Sequence, residues 1–377
     1  LFEALDSEEE LAGILGHEIS HVVCRHISQR IERSKKISLA TSAGMLAGIL
    51  LGAGGAGTAG NALAIGSLAT GESLSLSYSR EDERQADEIG LKYLAKTGYG
   101  GKGLLTSLKK IRSQQWFGSD QIPNYLLTHP AAEERMAYID NWLAHHHKKD
   151  QPNHSHQPTD GQEFQRIHTR MIAQYADEPI AKARFLHLLS QNPENALAHY
   201  GYGMLLSRLG DQTGAVQHLK KALEISALNP YYLMELGWIY FSEGAYQKSA
   251  AILTSATGIV DDINAKFYLG RAQMELGKFD QAVNKFEEVI KTKTNFNQVY
   301  YYLGEAYGKQ KKLGEAHYNL GIYYYNKQDL KNTKFHLKRA IKILSDPEKQ
   351  KKAKLMLAKL PRHPNSEIEK TNARMAP

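Results

Sequence analysis

Cys24 is the only cysteine in 377 residues. No intrachain disulfide can form, and cysteine usage says nothing about the redox compartment. Cys24 follows His21 by three residues, yet a small packing residue is the expected role for it rather than a metal ligand. A long apolar run is also missing. No charge occurs between Lys36 and Glu72, but the firmly apolar part ends near Leu51 and gives way to Gly52, Gly54, Gly55, Gly57 and Gly60. A membrane span needs about 20 consecutive, mostly apolar residues. No nucleic-acid motif accompanies the net charge of +7, so nucleic acid is not an expected partner. The chain opens at Leu1 with neither Met nor a signal segment. That is expected of a trimmed or partial chain, whose localisation no targeting segment reveals.

What is present suits a globular chain of two domains, with 42% hydrophobic and 23% charged residues. Charge is unevenly placed. Residues 1–150 carry 16 Lys/Arg against 18 Asp/Glu, and the remainder carries 31 against 22. The basic excess is densest from Lys327 to Arg362. It can face an acidic partner or anionic head groups, and a solvated helix face is the expected reading.

The most specific motif is Gly16-His17-Glu18-Ile19-Ser20-His21, an H-E-x-x-H. Residues four apart share a helical face, so His17 and His21 can present two imidazoles to one metal ion. Glu18 is turned about 100° from His17, beside the metal, where a base takes a proton from the attacking water. The chemistry implied is zinc-assisted hydrolysis, expectedly of a peptide bond, with one zinc per chain. Ser7-Glu8-Glu9-Glu10 reads as a capping box, with Ser7 as N-cap and Glu10 reaching back. Leu11, Ile14, Leu15 and Val22 give the spacing of a buried helix running from about Glu8 to about Arg33.

A catalytic zinc site takes three protein ligands and keeps one position open. The best third ligand lies in Tyr78-Ser79-Arg80-Glu81-Asp82-Glu83-Arg84-Gln85-Ala86-Asp87, where Glu83 and Asp87 again sit four apart. Glu83 can bind the metal while Asp87 accepts a hydrogen bond from a ligand imidazole. From the residues alone, His129 in Thr128-His129-Pro130-Ala131-Ala132-Glu133-Glu134-Arg135 is a loop histidine ahead of a helix that starts near Pro130.

H-E-x-x-H followed by E-x-x-x-D in this Ser-Arg to Ala-Asp setting resembles the metallopeptidase family of HtpX and the CAAX prenyl proteases. The opening stretch, Leu1 to Glu18, looks like a soluble bacterial branch of it. The likeness runs from Leu1 to about Trp142 and more loosely beyond. It implies that His17, His21 and Glu83 are the zinc ligands and Glu18 the general base, with Asp87 behind them. It also implies that His129 closes the site as a fourth ligand and represses activity. Periplasmic localisation, quality control of outer-membrane β-barrel proteins, stalled or unfolded protein substrates and docking on the barrel-assembly machinery follow from the resemblance alone. Membrane relatives carry spans where residues 39–70 lie. Here a helix, a glycine turn and a second helix over the cleft are expected, as a lid or a hairpin touching the membrane surface.

After a polar, histidine-rich linker over 145–162, Gly203, Gly237, Gly270 and Gly304 recur 34, 33 and 34 residues apart. Twelve residues on stand Ala215, Ser249, Ala282 and Ala316, and four further on Leu219, Leu253, Phe286 and Leu320. This is the tetratricopeptide (TPR) pattern of small residues where paired helices touch and large ones between. Leu320-Gly321-x-x-Tyr324 follows Gly304 by only 17, so one helix should serve two pairs. Residues 163–198 should hold a degenerate first repeat around Ala181 and Phe185.

The expected fold is mainly α. A helical, gluzincin-like zinc-metallopeptidase domain over 1–144 precedes a TPR α-solenoid over 163–360, and 361–377 is a loose tail. Two rivals stand beside a zinc endopeptidase with a TPR substrate platform. One is a binding module or chaperone whose zinc site is shut by His129. The other is an integral-membrane protease using 39–70 as a span.

Overall fold

The computed structural model describes residues 4–53, 62, 78–116, 125, 128–146, 161–292 and 295–360. Every regular element among them is a helix, in keeping with the mainly α expectation. The chain forms two compact units, Leu1–Ile172 and Ala173–Pro377. The linker positions 147–160, the tail 361–377 and most of the glycine-rich half of 39–70 lie outside the described residues.

In the first unit, α1 (Glu8–Val23) starts at Ser7, whose Oγ accepts the Glu10 N–H at 3.2 Å. The expected capping box is only half made. The Glu10 carboxylate accepts the Asp6 N–H at 2.8 Å and pairs with Lys110 at 2.7 Å. The single helix expected to reach Arg33 is also interrupted. Arg25 takes a left-handed φ of 56°, which ends α1, and a separate helix, α2 (His26–Ala53), starts at the next residue. Leu15 and Val22, expected to be buried, are 49% and 66% exposed. The face that α1 buries is instead Glu10, Gly13, Ile14, Gly16, His17, Ser20 and His21. Four of these residues, Glu10, His17, Ser20 and His21, are polar, and such groups need partners when buried.

Helix α3 (Arg80–Thr97) opens on a complete capping box, Ser79 with Asp82, and closes on Gly98 at φ 86°. Helices α4 (Lys102–Trp116) and α5 (Ala132–His146) follow. Ile14, Leu91, Leu94, Leu104, Leu108 and Ile139 join α1, α3, α4 and α5 in one core. Glycines set how near the backbones come. A Cβ on Gly90 would stand 3.1 Å from the Gly16 carbonyl oxygen, so α1 and α3 cross at the residue before His17. A Cβ on Gly103 would stand 1.9 Å from the Glu9 carbonyl oxygen. Gly103→Ala should therefore destabilise this unit by about 1–3 kcal/mol through overpacking, seen as a lowered denaturant midpoint at unchanged slope; an unaltered midpoint would show that α4 shifts freely.

Helix α6 (Gln162–Tyr175) contains the unit boundary. The second unit then repeats helix pairs. These are α8 (Ala196–Arg208) with α9 (Gln212–Ile225), α10 (Pro230–Ser242) with α11 (Tyr246–Ile259), α12 (Ile263–Glu275) with α13 (Phe279–Thr292), and α14 (Asn297–Lys309) with α15 (Leu313–Asn326). Helix α7 (Glu178–Gln191) precedes them, and α16 (Leu330–Ile343) and α17 (Pro347–Ala358) follow. The glycine register is a packing register. Cβ atoms built on Gly203, Gly237, Gly270 and Gly304 would meet Leu219, Leu253, Phe286 and Leu320 at 2.6–3.0 Å. Ser249 replaces alanine because its hydroxyl donates to the Gly237 carbonyl at 2.8 Å. The shared helix is α15. Its Leu320 fills the notch at Gly304, while its own Gly321 receives Leu337 of α16. Ala181 and Phe185 are buried, at 0% and 1%. In the array Tyr200, Tyr232, Tyr240, Tyr300, Tyr307 and Tyr318 are buried, whereas Tyr231, Tyr301, Tyr302, Tyr323, Tyr324 and Tyr325 stay half-exposed. Lys331, Lys338, Lys342, Lys351 and Lys354 are exposed, a solvated basic face.

Candidate metal centre

Three elements bring four donors together. Helix α1 supplies His17 and His21 from successive turns of its buried face, α3 supplies Glu83, and the residue pair before Pro130 and Ala131 supplies His129. One ligand atom from each of His17, His21, Glu83 and His129 lies within 4.8 Å of all the others, and all four residues are buried. The nitrogens face inward. His17 Nε2 is 3.0 Å from His21 Nε2 and 3.5 Å from His129 Nδ1. Glu83 Oε1 is 3.0 Å from His129 Nδ1 and 3.4 Å from His21 Nε2, and Glu83 Oε2 is 3.5 Å from His17 Nε2.

This donor set fits a metal cation. Three imidazole nitrogens and a carboxylate converging out of water leave lone pairs turned on one another, which a cation resolves. Glu83 Oε2 is buried and makes no hydrogen bond, although Arg135 Nη1 ion-pairs with it at 2.6 Å. Among the described residues no other group of three or more such donors occurs. Cys24 is half-buried and outside the cluster.

The next layer holds the donors in place. Asp87, one turn beyond Glu83, accepts from His17 Nδ1 at 2.8 Å, which leaves Nε2 for the cluster. Arg135 on α5 grips Asp87 through Nε and Nη2, both at 2.8 Å. Burial alone raises a carboxyl pKa, yet Asp87 is lowered by Arg135 and His17, and Glu83 falls far below the carboxylate range through His129, His17, His21 and Arg135. Burial pulls His17 down, but its bonds to Asp87 and Glu83 outweigh that and raise it. His21 is lowered by burial, which its bond to Glu83 does not offset. The anionic centre favours positive charge while His21 is kept neutral, and a neutral imidazole is the form that ligates.

Glu18 is not part of the donor group. Its side chain is 40% exposed, and Oε1 stands 3.6 Å from His129 Nε2. His129 thus turns one nitrogen to Glu83 and the other to Glu18. Its ring stacks on Tyr125 at 4.3 Å and lies 5.1 Å from Tyr78, whose N–H donates to Thr128 O at 3.0 Å.

Sequence reasoning singled out every residue of this donor group, Glu18 and Asp87, and passed over Arg135 and His26. Arg135 closes the Thr128–Arg135 stretch, and a lone cation after Glu133 and Glu134 was the signal available. His26 carried no periodic signal, because residues five apart do not share a helical face.

Residues 1–143 match the sequence model of peptidase family M48, and residues 179–231 and 268–316 match a tetratricopeptide repeat model. The chain is 36% identical over 137 residues to the β-barrel assembly-enhancing protease of Escherichia coli, covering 36% of this chain and 28% of that protein. To the protein of the same name from Yersinia pestis it is 32% identical over 209 residues, 55% of this chain and 41% of that one. The chain thus spans less than half the length of either relative. Among solved structures, MamA is similar at 21% identity and a TM-score of 0.37, over 38% of this chain and 85% of that one.

Proposed function

From a peptidase family M48 domain followed by tetratricopeptide repeats, we propose that this chain is a zinc metalloendopeptidase whose repeat array presents protein substrates or partners. The convergence of His17, His21, Glu83 and His129 with Glu18 at its edge carries the reading. His17, His21 and Glu83 hold the zinc, and Asp87 and Arg135 hold His17 and Glu83. Zinc, when bound, supplies Lewis-acid polarisation of the scissile carbonyl and acidifies water. Glu18 takes the proton of the attacking water and delivers it to the leaving amine.

His129 is the gate. Its Nδ1 fills the donor position that hydrolysis needs open, and its Nε2 faces the base. His129→Ala should raise basal cleavage of unfolded casein severalfold in a folded, metal-loaded protein; unchanged or lower activity would remove the gate. Cleavage that stops with a chelator and returns with zinc tests the assignment as a whole. A casein-inert, zinc-loaded chain even without His129 would leave only a binding module. An intact Glu18 beside the cluster favours the enzyme.

The similarity to β-barrel assembly-enhancing proteases supports a periplasmic setting, outer-membrane β-barrel precursors as substrates and docking on their assembly machinery. No helix among the described residues is long and apolar enough to cross a membrane. Within 39–70, the described α2 portion exposes Leu39, Leu46, Ile49 and Leu50, which suits a surface contact with a membrane or partner.

A further inference from the structure

We infer that His26 and Gln85 form a neutral relay that fixes the tautomer of one metal ligand, His21, and so tunes how tightly the centre holds its ion. The relay rests on the zinc reading above. His26 is wholly buried and touches none of the reacting groups. Its Nδ1 lies 3.0 Å from His21 Nδ1, and its Nε2 lies 2.8 Å from Gln85 Oε1.

Proton placement follows step by step. His21 Nε2 faces His17 Nε2 and Glu83 Oε1 at 3.0 and 3.4 Å, so it is the nitrogen turned to the metal. A ligating nitrogen carries no proton, so a neutral His21 carries its proton on Nδ1. That proton points at His26 Nδ1, which must then offer a lone pair. His26 therefore holds its own proton on Nε2 and donates it to Gln85 Oε1, a carbonyl oxygen that only accepts. Reversing any one step puts two donors or two acceptors face to face, or places a proton on the metal-facing nitrogen.

The backbone explains how His26 gets there. On an unbroken helix, residues five apart point about 140° away from each other. The left-handed Arg25 ends α1 and reorients the chain, so that the first residue of α2 folds its ring back on His21 at a centroid distance of 4.9 Å. The break that sequence periodicity did not anticipate thus has a task. The two histidine ligands end up unlike. His17 is backed by a carboxylate that is itself gripped by Arg135, and His21 by a neutral imidazole and an amide. A carboxylate makes its imidazole more basic and more strongly held, while a neutral acceptor orients without adding charge.

The test is zinc affinity of the full chain, by competition with a chromophoric chelator, together with the visible spectrum of the cobalt-substituted protein. His26→Phe keeps the ring and removes the acceptor; it should weaken zinc about 10–100-fold and shift the cobalt bands. His26→Asn places an amide oxygen near the Nδ1 position and should restore both readings toward the original. Gln85→Ala, at an exposed position, should weaken zinc to a smaller degree and keeps the test open if His26→Phe does not fold. Unaltered affinity in His26→Phe, equal losses in His26→Phe and His26→Asn, or unaltered affinity in Gln85→Ala would overturn the relay. Failure of the unsubstituted chain to bind zinc would instead defeat the zinc reading itself.

Discussion

Glu18→Gln should leave a folded protein that binds zinc as before and no longer cleaves casein. The glutamine amide matches the carboxylate in shape but has no site for a proton. General base and acid catalysis by a positioned side chain contributes about 10²–10⁴-fold, and here one residue serves in both directions, so the upper part of that range is expected. Zinc content should hold because Glu18 stands outside the four converging donors and contacts them only through His129 at 3.6 Å. Metal analysis beside a chelator-controlled cleavage assay separates the outcomes. Retained turnover in Glu18→Gln would sink the assignment of the base. Lost zinc would make Glu18 a structural member of the centre.

The second large effect belongs to Arg135. Its side chain is 3% exposed and faces two wholly buried carboxylates. It meets Asp87 with two parallel hydrogen bonds and Glu83 at 2.6 Å. Removing one partner from a buried charge group leaves the others uncompensated, at a cost of about 3–5 kcal/mol. Arg135→Met should lower the unfolding midpoint of the first unit by a corresponding amount in chelator. Saturating zinc should return part of the loss, because a bound cation again neutralises Glu83. The double substitution Arg135→Met with Asp87→Asn removes one orphaned charge and should be less damaging than the sum of the single changes. Equal stability of Arg135→Met and the unsubstituted chain, both in chelator, would show that Asp87 and Glu83 find water or protons instead.

These two residues differ in how visible they were. Glu18 is legible because H-E-x-x-H carries its geometry within one turn of helix, and Glu83 with Asp87 is legible for the same reason. The repeat array is legible because Gly203, Gly237, Gly270 and Gly304 keep register with Leu219, Leu253, Phe286 and Leu320, and each large side chain fills the notch of its glycine. Even the doubled role of the helix over 313–326 shows in the 17-residue step from Gly304 to Gly321. The cap at Ser7 is only half made because Lys110, 100 residues beyond Glu10, draws the Glu10 carboxylate. The burial of Leu15 and Val22 was misread because α1 turns its polar face inward.

Local spacing, then, determined which side chains can act together on one helix, since 3.6 residues per turn applies wherever a helix forms. It singled out the histidine pair, Glu18 beside it, the carboxylate pair and the repeats. Only the tertiary structure decided which helices meet. The crossing at Gly16 and Gly90 brings Glu83 under His17 and His21. The stretch before α5 delivers His129 from 46 residues beyond Glu83. Arg135 is drawn to Asp87 across 48 residues, and the break at Arg25 turns His26 back on its own helix. Such contacts depend on how closely backbones approach and on which buried charges need partners, and neither has a period that can be read along the chain.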